Sequence, residues 1–176
     1  LVTTQNSYAD GGPGYRDFVT IVYTVQNNSG VRVNGLYLGV FADFNLDSLG
    51  FDICGSDTAR NFIYITDSSG NGPIAGIRVL EPVNGVFLSA IDPQIYYLPE
   101  SSFSDAQKWY FLSGQVQLSQ SPRADNWAVC ASAGPFNLEP FDICRFAIAF
   151  VGGRDLEQAM VNADSASSWF RRNVGA

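Results

Sequence analysis

The sequence contains no histidine, and Lys108 is its only lysine. Without histidine the chain cannot build a Ser-His-Asp triad or a Cys-His pair, and it lacks the commonest protein ligand for metals. Because Lys108 is flanked by Gln107 and Trp109, the glycine-lysine loop that binds nucleotide phosphates is also missing. Most of the 17 acidic residues stand beside turns or at helix starts, where aspartate has a structural role. The sequence therefore predicts a protein that is not an enzyme.

Charged residues are scarce, at 15% of the chain against a typical share of about 25%. The net charge of −7 argues against nucleic acid, whose binding needs clustered lysine and arginine. No apolar run is long enough to span a membrane. Low charge and 14% aromatic residues predict a surface that meets protein partners, either copies of this chain or a parent exoprotein. The alternative is an ordinary sandwich whose outer faces carry uncharged polar residues.

The three cysteines, Cys54, Cys130 and Cys144, are too few for a disulfide scaffold. Two arrangements stay open: one disulfide with a remaining thiol, or three buried thiols. A zinc site is not expected, because the chain has neither a C-x-x-C pair nor a histidine.

Alternation of apolar and polar residues indicates a series of short strands. They are predicted at 1–8, 17–26, 31–44, 61–66, 73–82, 85–91, 115–120, 126–133 and 144–151. The polar turn Asn27–Gly30 predicts that the second and third strands form a hairpin, and the Asp-rich stretch 45–60 is predicted to be a loop. This pattern predicts a mainly β protein, an antiparallel sandwich of jelly-roll type, with residues 1–176 in one domain.

Two helices complete the predicted fold. Ser104 followed by Gln107 indicates the start of a short helix near 104–113, expected to plug one end of the sandwich, with Trp109 on its buried side. Asp155 is the predicted cap of a C-terminal helix near 155–171. The strand before it is expected to bury only the face that carries Cys144, Phe146, Ile148 and Phe150.

The N-terminal segment 1–16 consists of a predicted strand followed by the loop sequence Gly11–Gly14. A strand at the start of a chain is often an edge strand. We expect it either at the edge of its own sheet or exchanged into the sheet of a neighbour.

Several sequence blocks resemble a β-sandwich module that follows the catalytic domain in many secreted bacterial subtilisin-like proteases and in other exported multidomain proteins. The blocks are DFVTIVYTVQNNSG (17–30), GLYLGVFADFN (35–45), FSDAQKWYFLSG (103–114), AGPFNLEP (133–140) and AIAFVGGRDLEQAMVNADSA (147–166). Phe141 stands where that family usually has glycine. The resemblance implies an accessory module without chemistry of its own, located outside the cell or at its surface.

Asp43, Asn45 and Asp47 follow a D-x-N-x-D spacing, and Asp52 and Asp57 lie further along the chain. Alternating oxygen ligands on a loop can surround Ca²⁺, so a calcium site is one interpretation. The stretch lacks the glycine and the terminal glutamate of an EF-hand loop. The alternative is that these residues only shape turns.

Tyr96 and Tyr97 suggest a platform for a sugar ring, with core packing as the alternative. Asn27-Asn28-Ser29 also matches a glycosylation sequon.

Three functions follow as hypotheses. The first is a non-catalytic structural or interaction module of a secreted protein. The second is a self-assembling subunit of an extracellular filament or surface layer, joined by addition of the N-terminal strand to a neighbouring sheet. The third is a calcium-dependent carbohydrate-binding domain.

Overall fold

The computed structural model describes residues 1–46, 51–96 and 103–175, which form two antiparallel sheets packed face to face, with helices outside them. The strands are β1 (Val2–Tyr8), β2 (Phe18–Gln26), β3 (Val33–Ala42), β4 (Asp52–Asp57), β5 (Phe62–Asp67), β6 (Ile74–Glu81), β7 (Val86–Ile91), β8 (Ala128–Leu138) and β9 (Ile143–Gly153). The helices are α1 (Pro93–Tyr96), α2 (Asp105–Leu112) and α3 (Leu156–Asn173). The prediction of a mainly β, antiparallel sandwich is confirmed.

The two sheets differ in width. The larger has six strands in the order β1-β2-β9-β6-β5-β4, and the smaller has three in the order β3-β8-β7. Apolar side chains from both sheets fill the space between them, among them the fully buried Trp127, Ile65 and Ile148. Burial of this apolar area is the main favourable contribution to folding.

The central strand β9 is buried on both faces, so the prediction of one buried face is wrong. Phe146 and Ile148 contact the smaller sheet, whereas Ala147 and Ala149 lie against α3 with no exposed surface. The helix contributes small residues to the same contact: Ala159, Ala163 and Ala166 are fully buried. Short side chains on both sides allow the helix to lie close to the sheet.

Strand β2 is covered in the same way. The alternating pattern of residues 17–26 would place Val19 on the buried face together with Ile21, Tyr23 and Val25, but Val19 is 39% exposed. Thr20 and Val22 are buried instead, on the side that faces α3. A helix that covers the outer face of a sheet removes the simple alternation between apolar and polar residues.

The predicted hairpin of β2 and β3 does not form, because the two strands belong to different sheets. β2 pairs with β1 and β9, whereas β3 pairs with β8. Asn27 fixes the connection: its Nδ2 donates to the carbonyl oxygens of Val31 (2.8 Å), Leu138 (3.1 Å) and Glu139 (3.0 Å). Asn27 is fully buried, so its amide is committed to the fold and not accessible as a glycosylation site.

The two predicted helix starts are confirmed. Ser104 forms a capping box with Gln107, and the Asp155 side chain accepts from the Gln158 N–H at 2.8 Å. Helix α2 lies on the outer face of the smaller sheet, where the Ser132 hydroxyl donates to the Leu112 carbonyl, so it does not plug an end. In the described ranges, no helix is both long and apolar enough to cross a membrane.

One further boundary differs from the prediction made from the sequence. β8 continues through Gly134-Pro135, beyond the predicted end of this strand at residue 133. The Gly134-Pro135 peptide bond is cis, and the pairing with β3 shifts register nearby. Phe141 has a φ of 70°, in the left-handed region where glycine is favoured. This is the position at which the resembling family usually has glycine.

One strand, β4, was not predicted from the sequence. β4 lies within the predicted Asp-rich loop. Polar residues at both of its ends make the sequence resemble a loop, although Cys54 and Gly55 within the strand are buried. Conversely, residues 115–120 were predicted to be a strand but do not form one.

Candidate functional site

The proposed calcium ligands do not converge in the part of the chain that the structure describes. Asp43 borders an apolar cavity of about 280 Å³, and partial burial raises its pKa. Asp52 is buried at the start of β4, and Asn45 is exposed. Asp57 caps a 3-10 turn by accepting from the Arg60 N–H. Asp47 lies outside the described residues.

Within the described ranges, no three His, Cys, Asp or Glu side chains form a group suited to a metal ion. Calcium binding therefore stays a hypothesis without a described site.

The structure describes one of the two tyrosines of the proposed sugar platform, and that tyrosine packs into the fold. The Tyr96 ring packs edge-on against the buried Phe111, with ring centres 4.9 Å apart, so it belongs to the cluster under α2. Trp109 was expected to be buried but is 45% exposed, and its ring contacts Tyr37 at 5.1 Å. Tyr97 lies outside the described residues.

The three cysteines are free thiols, and each is buried in a different apolar cluster. The structure thus has the three-thiol arrangement and not the disulfide. Burial raises the pKa of both Cys54 and Cys130 to about 12 and also raises that of Cys144. Thiols held in the neutral form are poor nucleophiles and poor metal ligands.

Residues 116–125, which we call the sealing segment, close one side of the sandwich. The Ala90 N–H, in the smaller sheet, donates to the Leu118 carbonyl at 2.8 Å. In the larger sheet, the Cys54 N–H donates to Ser121 Oγ at 2.8 Å, and the Ser121 N–H donates to the Cys54 carbonyl at 3.1 Å. Because the segment bonds to two sheets in turn, it cannot be a regular strand of either one.

A charged cluster holds the end of the sealing segment in place. Asp52 and Asp125 exchange backbone hydrogen bonds of 2.9 and 3.0 Å. The Arg123 guanidinium donates to both Asp92 carboxylate oxygens, at 3.0 and 2.6 Å, and to Asp125 at 3.1 Å. It also lies over the Trp127 ring at 5.1 Å. The Arg123 hydrogen bonds hold the pKa of Asp92 below its ordinary value.

The opposite side of the sandwich ends in β1. Its seven residues pair antiparallel with β2, from Val2 opposite Gln26 to Tyr8 opposite Thr20. Every residue from Val2 to Ser7 is exposed, so neither α3 nor the smaller sheet covers this part of the strand. Tyr8, the last residue of β1, is partly buried, and its ring centre lies 6.0 Å from that of Trp169 in α3. Among the described residues, no strand pairs with the outer side of β1. The strand VTTQNSY contains no charged residue and no proline.

A shallow cavity of about 100 Å³ runs beneath β1. It is lined by Thr3, by Tyr23 and Val25 of β2, by Leu38 and Gly39 of β3, and by Phe146. The cavity separates the exposed Thr3 from Leu38 and Gly39 of the smaller sheet, so β1 is not packed tightly against that sheet here. A strand is predicted here from the sequence, but its exposure depends on contacts between distant parts of the chain.

A scan against protein-family models gives no match, and a search of curated proteins finds no significantly similar sequence. The resemblance to the protease-associated module thus remains an expectation from sequence blocks. Among the described residues, the exposed edge of β1 is the strongest indication of a function.

The three buried thiols predict how many cysteines a thiol-specific dye labels before and after unfolding. Native protein at mildly alkaline pH should not react with a thiol-specific dye at Cys54 or Cys130, because burial keeps both neutral. In guanidinium chloride without reductant, all three cysteines should react. Detection of a single reactive thiol after unfolding would show that two cysteines are paired and would contradict the structure.

The Arg123–Asp92 pair predicts a pH-dependent contribution to stability. Since Arg123 lowers the pKa of folded Asp92, the contribution is complete above the ordinary carboxyl pKa of about 4 and is lost as the pH falls through the lowered value. At neutral pH, Asp92→Asn should reduce the free energy of unfolding by about 2 kcal/mol, measured in urea. The difference from wild type should shrink in acid.

Asp105→Asn is the matched control for this prediction. Asp105 also pairs with a cation, Lys108, but its side chain is fully exposed, so its loss should reduce the free energy of unfolding much less than the loss of Asp92 does. Equal effects of the two substitutions, or an unchanged Asp92 difference in acid, would contradict the role given to the Arg123 pair.

Proposed function

We propose that the protein is a non-catalytic interaction module that binds an extended segment of a protein partner along β1. The observation that carries this proposal is the exposure of every residue from Val2 to Ser7 within a regularly paired strand. The outer backbone N–H and C=O groups of an edge strand are a template on which a further strand can add.

The composition of β1 supports the proposal. Soluble proteins usually protect an exposed edge with lysine, proline, a bulge or a covering loop. β1 has neither lysine nor proline, and its register with β2 runs without a shift over all seven pairs. At the other end of the same sheet, β4 is covered by the sealing segment. One edge is thus protected and the other is left available.

We further propose that the module works in a secreted or cell-surface assembly. This part rests on the resemblance to accessory modules of exported proteases and on the low share of charged residues. The absence of histidine supports a role without catalysis.

Peptide display with paired proline variants tests the function. Successive residues of a strand direct their N–H groups to opposite sides, so one of Gln5→Pro and Asn6→Pro removes an outward donor and the other breaks the bond to β2. The outward variant is the one that keeps the wild-type melting temperature. Heptapeptides selected from a random library by the wild-type protein should bind this variant at least about tenfold more weakly.

The matched control is threonine at the same position, which restores the N–H and has a high strand propensity. It should bind the selected peptides about as well as wild type does. If no peptides are selected, or if those selected bind the outward proline variant undiminished, β1 is not the binding edge and the proposed function is wrong.

A further inference from the structure

We infer that the partner at this edge is β1 of a second copy of the chain, paired antiparallel about a two-fold axis that passes beside Gln5. The inference rests on the proposed function, because it uses the same edge, and it adds the identity of the partner. The two copies would join their six-stranded sheets into one continuous sheet.

The side chains of β1 are complementary to their own sequence read in reverse. Full overlap of two antiparallel copies of Val2–Tyr8 places Val2 opposite Tyr8, Thr3 opposite Ser7, and Gln5 opposite Gln5. β-branched–aromatic pairs and Thr–Ser hydrogen bonds are among the favourable cross-strand pairs, and opposed glutamine amides can bond to each other. A two-fold interface requires this kind of self-complementarity.

In this register, corresponding faces of the two six-stranded sheets lie on the same side. Thr3, Gln5 and Ser7 lie opposite Val25, Tyr23 and Ile21 of β2, whose side chains contact the smaller sheet. Odd-numbered residues of β1 therefore face the smaller sheet. The full-overlap register pairs odd with odd positions, so both smaller sheets fall on the same side of the joined sheet and both α3 helices on the other.

If two copies meet, charge makes this edge the favoured place for the contact. Each chain carries a net charge of −7, so two copies repel each other over most of their surfaces. Neither β1 nor β2 contains a charged residue, and the two copies can approach there without opposing like charges. A basic partner peptide would find no acidic side chain on β1 to pair with.

There is also room for the approach. Every residue from Val2 to Ser7 is exposed, so over these positions neither the smaller sheet nor α3 covers the strand against a second copy. Only Tyr8, at the end of β1, packs against Trp169 of α3. The far edge of the larger sheet is covered by the sealing segment. Pairing through β1 thus ends at two copies, and we infer a closed dimer instead of a filament. A contact of one strand pair is small, so the dimer should be weak and concentration-dependent.

Charge substitutions at Gln5 test the two-fold register. In sedimentation over a concentration series, wild-type protein should pass from monomer to dimer. Gln5→Glu and Gln5→Lys each place like charges opposite each other and should weaken dimerisation about fivefold. An equimolar mixture of the two variants should dimerise at least as well as wild type, because only the mixed pair places opposite charges together.

The control substitutions are Gln115→Glu and Gln115→Lys, at an exposed glutamine between α2 and the sealing segment. They make the same change of net charge away from the edge, and they should leave dimerisation within about twofold of wild type at moderate salt.

Three outcomes would overturn the inference. If wild-type protein stays monomeric up to the millimolar range while selected peptides bind β1, self-pairing is wrong and the proposed function stands. If the protein is monomeric and no peptide binds β1, the self-pairing and the proposed function are both wrong. If assemblies exceed two copies, or if mixing the Gln5 variants restores nothing, β1 pairs with a different strand, such as the edge strand β3, and the two-fold register is wrong.

Discussion

Backbone hydrogen bonds from the sealing segment to the edges of both sheets determine which side of this sandwich is closed. Leu118 bonds to the smaller sheet and Ser121 bonds to the larger one, three residues apart. The Arg123 cluster then fixes the end of the segment against Asp92 and Asp125. With the β4 and β7 edges covered in this way, the unpaired backbone groups of the larger sheet are concentrated at β1.

The unequal width of the two sheets turns this edge into a projecting strand. The larger sheet has six strands and the smaller sheet has three. The smaller sheet lies over the centre of the larger sheet and over the strands farthest from β1. β1 consequently pairs with one neighbouring strand and is exposed from Val2 to Ser7, whereas Tyr8 packs against Trp169 of α3. Its stability comes from its ladder with β2 and from the anchoring of the following loop, where Asp10 accepts a hydrogen bond from Trp169 Nε1 at 3.0 Å.

Local signals in the sequence predicted local structure well. The caps at Ser104 and Asp155 were correct, because a side-chain oxygen that accepts from an N–H three residues on acts within one turn. Pairing between strands was harder to predict. The turn after β2 has hairpin residues, yet Asn27 uses its amide to bind carbonyl groups more than a hundred residues away.

Burial was misjudged where side chains are small or polar. Ala147 and Ala149 alternate with large residues and look like an outer face, but they are the contact surface for α3.

The candidate site was only partly predictable for a related reason. An N-terminal edge strand could be expected from its position, but the width of the second sheet depends on contacts distant in sequence. Residues 115–120 show the same limit: Val116 and Leu118 both contribute to apolar clusters, as a strand pattern requires, but the backbone bonds to two sheets. The Asp spacing from Asp43 onwards indicated a common site, whereas Asp52 is directed into the fold by its backbone bonds to Asp125.

Amide hydrogen exchange followed by NMR tests most directly the claim that one side is sealed and the other is open. The N–H groups of Asp52, Cys54 and Ala90 should be protected, since each donates to the sealing segment at 2.8–2.9 Å. In dilute protein, every second amide of β1 should exchange at nearly the rate of an unfolded chain, because its N–H points away from β2. Uniform protection along β1 in dilute solution, or rapid exchange at Cys54 and Ala90, would contradict the account.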